Sequence, residues 1–370
     1  ELSDGENELF YSGIINVKIY GAVGNGSADD TGAINSAISA ASNKNLLIPP
    51  GTYRITSSVT VPSNVKIWFS NGAKISVDSG KTLTINGTLD AGRYQIFTGD
   101  GTVNISQSAC DEVYPEWWGA VGNGTTDDTT ALQKCITCAG TLGNVKVVKL
   151  GEKTYKITSA ITTGGNGINI IGSSMNRSWI LASGGCDGIR VTPYATGSTK
   201  EQLLFKNFRV YSDSVVTGYG IYISGHRDFT IDHVWIGGYY DNYKGFEYGI
   251  YATNQPTYYL RIINCRIFYC KYGIYITGTA NNAVVEHNTI RYGARLVTLD
   301  STSGTRIINN SIETDSGATN GGNPATERLV TLTGNATDIV VANNYLEHHS
   351  NQTIELQSGC RRTRIYGNTR

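Results

Sequence analysis

An all-β solenoid with three short strands in every coil is the fold class this sequence predicts. The first observation is a register. Ile221-Tyr222, Ile250-Tyr251, Ile274-Tyr275, Val297-Thr298, Val330-Thr331 and Ile354-Glu355 recur one coil apart, roughly every 20–30 residues. A second series is Thr230-Ile231, Arg261-Ile262, Val284-Val285, Arg306-Ile307, Ile339-Val340 and Arg364-Ile365. A third ends at Val210, Ile236, Ile267, Ile290, Ile312 and Leu346. Three such series in phase mark stacked repeats, each burying its apolar side against the next. The second observation is a glycine-rich motif carried twice. The third is composition: charged residues are 16% of the 370, against roughly 25% in ordinary globular proteins. A core of stacked aliphatic side chains with Gly-rich corners accounts for that deficit.

The elements follow in order. Tyr20-Gly21-Ala22-Val23-Gly24-Asn25-Gly26 runs into Asp29-Asp30-Thr31. The glycines permit positive φ and a sharp turn. The acidic pair precedes Ala33, Ile34, Ala37, Ile38 and Ala41, which have helical spacing. A side-chain oxygen there can accept from the orphan N–H groups of a helix start. A strand is predicted at Leu47-Ile48-Pro49-Pro50-Gly51-Thr52-Tyr53-Arg54-Ile55, then short coils through Val65-Lys66-Ile67, Leu83-Thr84-Ile85, Tyr94-Gln95-Ile96-Phe97 and Val103-Asn104-Ile105. The motif then returns. Trp118-Gly119-Ala120-Val121-Gly122-Asn123-Gly124 runs into Asp127-Asp128-Thr129, with Ala131, Leu132, Cys135, Ile136 and Ala139 on the helical stripe. Val148 to Thr158 matches the strand that follows the first copy. A boundary is placed near residue 112, giving a short segment 1–112 and a main body 113–370, with residues 127–139 a helix plugging the start of the main body.

Both copies resemble the glycine–Asp-Asp-Thr signature that opens the pectate-lyase-3 class of right-handed parallel β-helices. That class includes relatives of family 28 and family 55 glycoside hydrolases and phage tailspike-like depolymerases. The resemblance implies a right-handed parallel β-helix with short N-terminal capping helices, which keep the first backbone edge from lying open. On that reading Asp29, Asp30, Asp127 and Asp128 are caps rather than catalytic pairs. The active-site motifs of the better-known members are absent: Gly225-His226-Arg227-Asp228 is not the polygalacturonase set, and no calcium-binding aspartate cluster is evident.

The register also assigns the histidines. Asn207, His233, Asn264, His287, Asn309 and Asn343 form a column three places before the third series. Asn tolerates the left-handed region and can bond its neighbour in the next coil. His233 and His287 are therefore expected as rungs of an asparagine ladder, as the resemblance implies, and not as bases or ligands. His226 sits at another corner, and its role is left open. His348-His349 is read as exposed. The seven cysteines show no disulfide framework. Cys135-x-x-Cys138 falls on the core face of the second helix, where a thiol serves as a small hydrophobe. No metal site and no cofactor are expected.

Chemistry is expected at the corner between the third series and the next first-series strand. Loop length varies there: 237–248 and 313–328 are long, 268–272 and 291–295 short. Strands stack about 4.8 Å apart, so two short loops between long ones leave a notch roughly 10–15 Å wide. Its floor holds Tyr269, Tyr272, Arg291, Tyr292 and Arg295, and Tyr240 lies on one wall; these are the candidate substrate-binding residues. Aromatic faces pack on sugars and arginine pairs with acidic groups. Glu313 is the first candidate acid or nucleophile, with Asp315, Asp241 and Glu247 as partners. Arg291, Glu313 and Glu347 share a column that also reads as an ordinary solvated charge ladder. The tyrosine column 222, 251, 275 also reads as cross-coil stacking.

The expected function is binding, and glycosidic cleavage, of a polysaccharide by hydrolase or lyase chemistry. The alternative is a non-catalytic glycan-binding or structural spike. Lys+Arg 30 against Asp+Glu 30 gives no net charge, so nothing steers the chain to nucleic acid or an anionic membrane. No apolar run approaches the roughly 20 residues of a membrane span. An extracellular or virion-associated location fits, and Glu1 is read as a processed or trimmed start. The sequence stops inside what reads as a further coil, so either missing C-terminal sequence or a homotrimer is expected.

Overall fold

The computed structural model describes residues 13–141, 143–163, 167–193, 203–238, 244–253, 257–278, 280–314, 328–347 and 353–370. The chain divides into two compact units: residues 1–121 with 137–148, and residues 122–136 with 149–370.

The first unit stacks short coils whose strands line up in three parallel sheets of four, four and three strands. Strands Asn45–Ile48, Gly51–Ile55 and Val59–Val61 make one such coil, and Lys66–Phe69, Ala73–Val77 and Thr82–Ile85 make the next. Alternation puts every second side chain inside. Leu46, Ile67 and Leu89 therefore form one core column, and Tyr53, Ile75 and Phe97 another.

The second unit is the longer solenoid, and its register follows the three series. Ile221, Ile250, Ile274, Val297, Val330 and Ile354 pair strand to strand. Ile250, Ile274 and Val297 are 0% exposed, so they do stack in one core column. Val210, Ile236, Ile267, Ile290, Ile312 and Leu346 pair likewise. One coil departs from the expected second series. Arg306 pairs with Val340 and Ile307 with Val341, one residue later than Ile339-Val340 would give. Ile339 and Val341 are both fully buried, so hydrophobicity alone could not choose between the two phases. Each unit is a right-handed parallel β-helix.

The duplicated motif forms the same bonds twice. Asp29 Oδ1 accepts from the Thr31 backbone N–H at 3.0 Å and from the Thr31 hydroxyl, while Oδ2 accepts from the Thr56 hydroxyl at 2.7 Å. Asp127 does the same with Thr129 and Thr158. Asp30 corrects the sequence reading. It stands at the N-cap of helix Thr31–Ala40 but makes no side-chain cap bond. Its carboxylate instead accepts from the N–H groups of Val23 and Gly24, pinning the glycine loop. Asp128 accepts from Gly122 in the same way. The first helix buries Ile34, Ala37 and Ile38. In the second, Thr129–Gly140, Cys135 is 0% and Cys138 3% exposed. Burial pushes the Cys138 thiol up to about 12, consistent with a packing role.

The corner column is left-handed throughout: Asn207, His233, Asn264, His287, Asn309 and Asn343 have φ between 52° and 60°. The hydrogen-bonded ladder, however, runs one residue later. Asn288, Asn310, Asn344 and Asn368 each accept at Oδ1 from the backbone N–H of the preceding rung, beginning at Cys265. His233 and His287 are thus corner residues and not rungs. Their rings lie near Asp232 and Glu286. His226 is fully buried, with Nε2 at 2.5 Å from the Thr192 carbonyl.

Candidate functional site

The corner expected to carry chemistry is built from strand ends and strand starts of the second unit. Gly237, Phe268, Arg291, Glu313 and Glu347 end successive strands and are register partners. Tyr272, Arg295 and Arg328 begin the strands beyond the turn, Tyr248 lies near the start of strand Phe246–Thr253, and the four are register partners in succession. Between them the chain reverses through Tyr269 and Tyr292, both left-handed at φ 59° and 62°.

Glu313 is held firmly. Arg291 Nη2 lies 2.6 Å from Glu313 Oε1, and the Ser311 hydroxyl donates to the same oxygen at 2.6 Å. The next strand places Glu347 directly beside it. Tyr345 donates its hydroxyl to Glu347 Oε2 at 2.8 Å. That bond, chiefly, then desolvation and the charges of Glu347 and Glu313, raise the Tyr345 phenol above its ordinary value, while Arg291 lowers it. Arg291, Glu313, Tyr345 and Glu347 therefore form one electrostatic cluster. Glu347 shared a column with Glu313 in the sequence, where the pattern looked like surface; Tyr345 and Ser311 carried no signal of their own.

Glu247 lies elsewhere on the corner. Its carboxylate pairs with Lys271 Nζ at 2.9 Å, which raises the lysine above its usual range. It lies in strand Phe246–Thr253 beside Tyr248, whereas Glu313 ends the strand before Arg328, three strands further along. That is roughly 14 Å of axial separation. Glu247 and Glu313 are not brought together. Asp241, Asp315 and Tyr240 lie outside the described residues.

The aromatic floor divides by burial. Tyr269 is 4% exposed, and its ring stacks at 4.6 Å on Tyr292. Tyr292 is half-buried and presents the outer side of that stack. Tyr272 belongs to a larger array that the sequence reading caught only in part. Tyr-Gly-Ile-Tyr occurs three times, at 219–222, 248–251 and 272–275. Tyr219, Tyr248 and Tyr272 stack in one column, with neighbouring centroids 5.4 and 4.7 Å apart. Tyr222, Tyr251 and Tyr275 stack in a second, at 5.9 and 5.4 Å. Across the columns the rings of Tyr248 with Tyr251 and of Tyr272 with Tyr275 are nearly perpendicular, and those of Tyr219 with Tyr222 are tilted. This herringbone spends most ring faces on one another. Burial, followed by the charge of Glu247, pushes Tyr248 up to about 12. Tyr272 and Tyr275 are the last rings, followed in register by Arg295 and Thr298.

Among the described residues no group of three or more His, Cys, Asp or Glu is arranged to hold a metal. No described helix is long and apolar enough to cross a membrane.

A stacked parallel solenoid with a corner of paired carboxylates, arginines and tyrosines defines a β-helix protein with a polar surface site. The chain matches the rhamnogalacturonase A/epimerase, pectate lyase-like family over residues 14–107 and 117–323, and it belongs to that family. A pre-neck appendage protein of Bacillus phage B103 is 36% identical over 99 residues, 24% of this chain and 11% of that protein. A non-secreted LysM effector of Penicillium expansum is 39% identical over 76 residues, 20% of this chain and 6% of that protein. The chain thus spans a small part of either relative. Among solved structures, tailspike protein 3 of bacteriophage CBA120 is 14% identical, covering 100% of this chain and 64% of that one, with a TM-score of 0.49.

Proposed function

We propose that the chain binds a polysaccharide across this corner and cleaves a glycosidic bond there with Glu313 and Glu347. The observation that carries the reading is their pairing on adjacent strands, between Arg291 and Tyr345. Adjacent strands lie about 4.8 Å apart, near the roughly 5–5.5 Å between carboxylates in retaining glycosidases. Glu313, fixed by a cation and a hydroxyl, is placed as the nucleophile. Its carboxylate bonds the anomeric carbon as the bond to the leaving oxygen breaks. Glu347, held by a phenol and exposed, is placed to give that oxygen a proton. Water then attacks the glycosyl ester, Glu347 takes its proton, and Glu313 leaves as a carboxylate. Tyr292 and the outer edge of Tyr272 offer apolar surface to the sugar on either side of the turn. The phage appendage relative supports an extracellular or virion-associated setting.

The test is digestion of a polysaccharide panel, read both for new reducing ends and for absorbance of an unsaturated product. Glu313→Gln and Glu347→Gln should each lower the rate about 10²-fold or more, the scale of a lost acid, base or nucleophile, with polymer binding retained. Unchanged turnover in both variants would remove the pair from the mechanism. An unsaturated product would replace hydrolysis by elimination. Binding with no product from any polymer would leave a glycan-binding spike.

A further inference from the structure

We infer that the chain associates head to tail, the first glycine-motif cap of one copy seating on the last coil of a second copy; this goes beyond the polysaccharide reading and does not depend on it. The duplicated motif carries the inference, because one of its copies is covered and the other is open.

Each copy begins with a 3₁₀ turn closed by a left-handed glycine, Val17–Tyr20 with Gly21 and Pro115–Trp118 with Gly119. Within the first unit, the second turn sits on the coil that precedes it. The Trp117 carbonyl accepts from the Ile96 N–H at 3.0 Å, and its indole donates to the Gly92 carbonyl at 2.9 Å. The rings of Trp117 and Trp118 lie 6.5 and 5.2 Å from that of Phe97, and Trp117 is 2% exposed. Ile19 and Tyr20 hold the same two places in the first copy. There Ile19 is 77% and Tyr20 37% exposed. Strands Ile14–Asn16 and Asn25–Asp29 are the outermost of their sheets. The turn is of a kind that rests on a solenoid end, and among the described residues none lies beneath it.

The second unit offers such an end. Strands Ile354–Leu356 and Arg364–Tyr366 are outermost in their sheets, and Leu356, Ile365 and Tyr366 are exposed. Leu346, Ile354 and Ile365, with the chain from Tyr366 to Arg370, line an open cavity of about 270 Å³. An apolar side chain entering it leaves water, as Trp117 has done on the first unit. The unpaired backbone edges of such a coil are ready to pair with another chain.

Charge favours a second copy as the occupant. Residues 1–12, just ahead of the first cap, contain Glu1, Asp4, Glu6 and Glu8 and no Lys or Arg. Residues 361–370, in and around the last strand, contain Arg361, Arg362, Arg364 and Arg370 and no Asp or Glu. Of these four arginines only Arg362 has an ion pair among the described residues, with Asp338. Cap against tail brings opposite charges together, whereas cap against cap or tail against tail opposes like charges. Cap and tail are different surfaces, so each pairing leaves one of each free and association continues as concentration rises.

The experiment is sedimentation velocity on the full 370-residue chain over a wide range of concentration, at low and at high salt. Species heavier than the monomer should grow with concentration and recede in high salt, where the terminal charges are screened. Ile19→Asp blocks the cap and Ile365→Asp the tail. Each should weaken association about tenfold or more, the scale of one lost apolar contact, and each should melt with the wild type. An equimolar mixture of the two variants should form a dimer, because one still has its tail and the other its cap. If Ile365→Asp lowers the melting temperature, Arg361→Glu with Arg364→Glu takes its place as the blocked tail. A wild type that stays monomeric at every concentration overturns the inference, as do oligomers that persist in both blocked variants or a mixture that stays monomeric. None of these results bears on polysaccharide cleavage.

Discussion

Asn309 and Asn310 are adjacent and do opposite things. Asn309 stands in the left-handed region at φ 58°, at the surface, bonding Glu286. Asn310 is 2% exposed and is wired into the core ladder. Its Nδ2 donates to Val285 O and to Asn344 Oδ1, and its Oδ1 accepts from the Asn288 backbone N–H. Truncating it orphans buried groups above and below. Asn310→Ala should therefore cost about 1–3 kcal/mol for each group left unsatisfied. Asn309→Ala should cost about 1–2 kcal/mol in backbone strain, and Asn309→Gly should be close to neutral. Urea titrations of the three variants check the order, and equal losses at both positions would refute the division of labour. The sequence marked the column through its repeated Asn and His. It could not say which of two neighbouring residues turns inward, because that depends on the corner geometry.

At the scale of the element, the three Tyr-Gly-Ile-Tyr strands bend where a plain strand would alternate. Each glycine lies where a Cβ would meet the next strand. A Cβ on Gly220 would be 2.7 Å from Gly249 O, on Gly249 2.6 Å from Gly273 O, and on Gly273 2.5 Å from Leu296 O. Close strand approach, not an unusual φ, demands glycine here. It lets the tyrosines on both sides face outward and interlock. Gly249→Ala should cost about 1–3 kcal/mol, the scale of overpacking a core, with loss of near-ultraviolet tyrosine dichroism. Gly32→Ala is the contrasting case. Gly32 lies within helix Thr31–Ala40, and a Cβ there meets nothing within 4 Å. That change should stabilise by about 0.5–1 kcal/mol. A Gly249→Ala protein as stable as wild type would show that the coils can spread freely.

At the scale of the whole molecule, acid should weaken the fold in two stages. Burial lowers His226 to about 4, so the unfolded chain takes up its proton first. The His226 contribution is complete above about 6.5, the unfolded value, and is lost as pH falls toward 4. Asp29 is lowered to about 2, chiefly by its bonds to Thr31 and Thr56, and Asp127 is lowered in the same way by Thr129 and Thr158. An acid with a depressed folded value stabilises above its unfolded value, about 3.9, and that stability goes as pH falls toward 2. Melting temperatures measured from pH 7 to pH 2 should show both declines. His226→Gln should flatten the first, and Asp29→Asn with Asp127→Asn the second. A first decline that persists in His226→Gln would place it on another group.

By itself the sequence determined the coil. Spacing of Ile and Val fixes which residues stack, because a strand one residue out of phase turns its whole apolar set to water. It also determined the bonds from Asp29 to Thr31 and from Asp127 to Thr129, since those are local, whereas the bonds to Thr56 and Thr158 come from the next coil. Tertiary structure alone decided the rest. The phase slip at Ile339-Val340 was invisible because both alternatives are apolar. The pairing of Glu313 with Glu347, and the distance of Glu247 from both, depend on how many strands intervene after the loops have been absorbed. The juxtaposition of Arg295 and Arg328 is of the same kind. Residues 33 apart in the chain meet because a solenoid converts one full coil of sequence into a single strand spacing, about 4.8 Å.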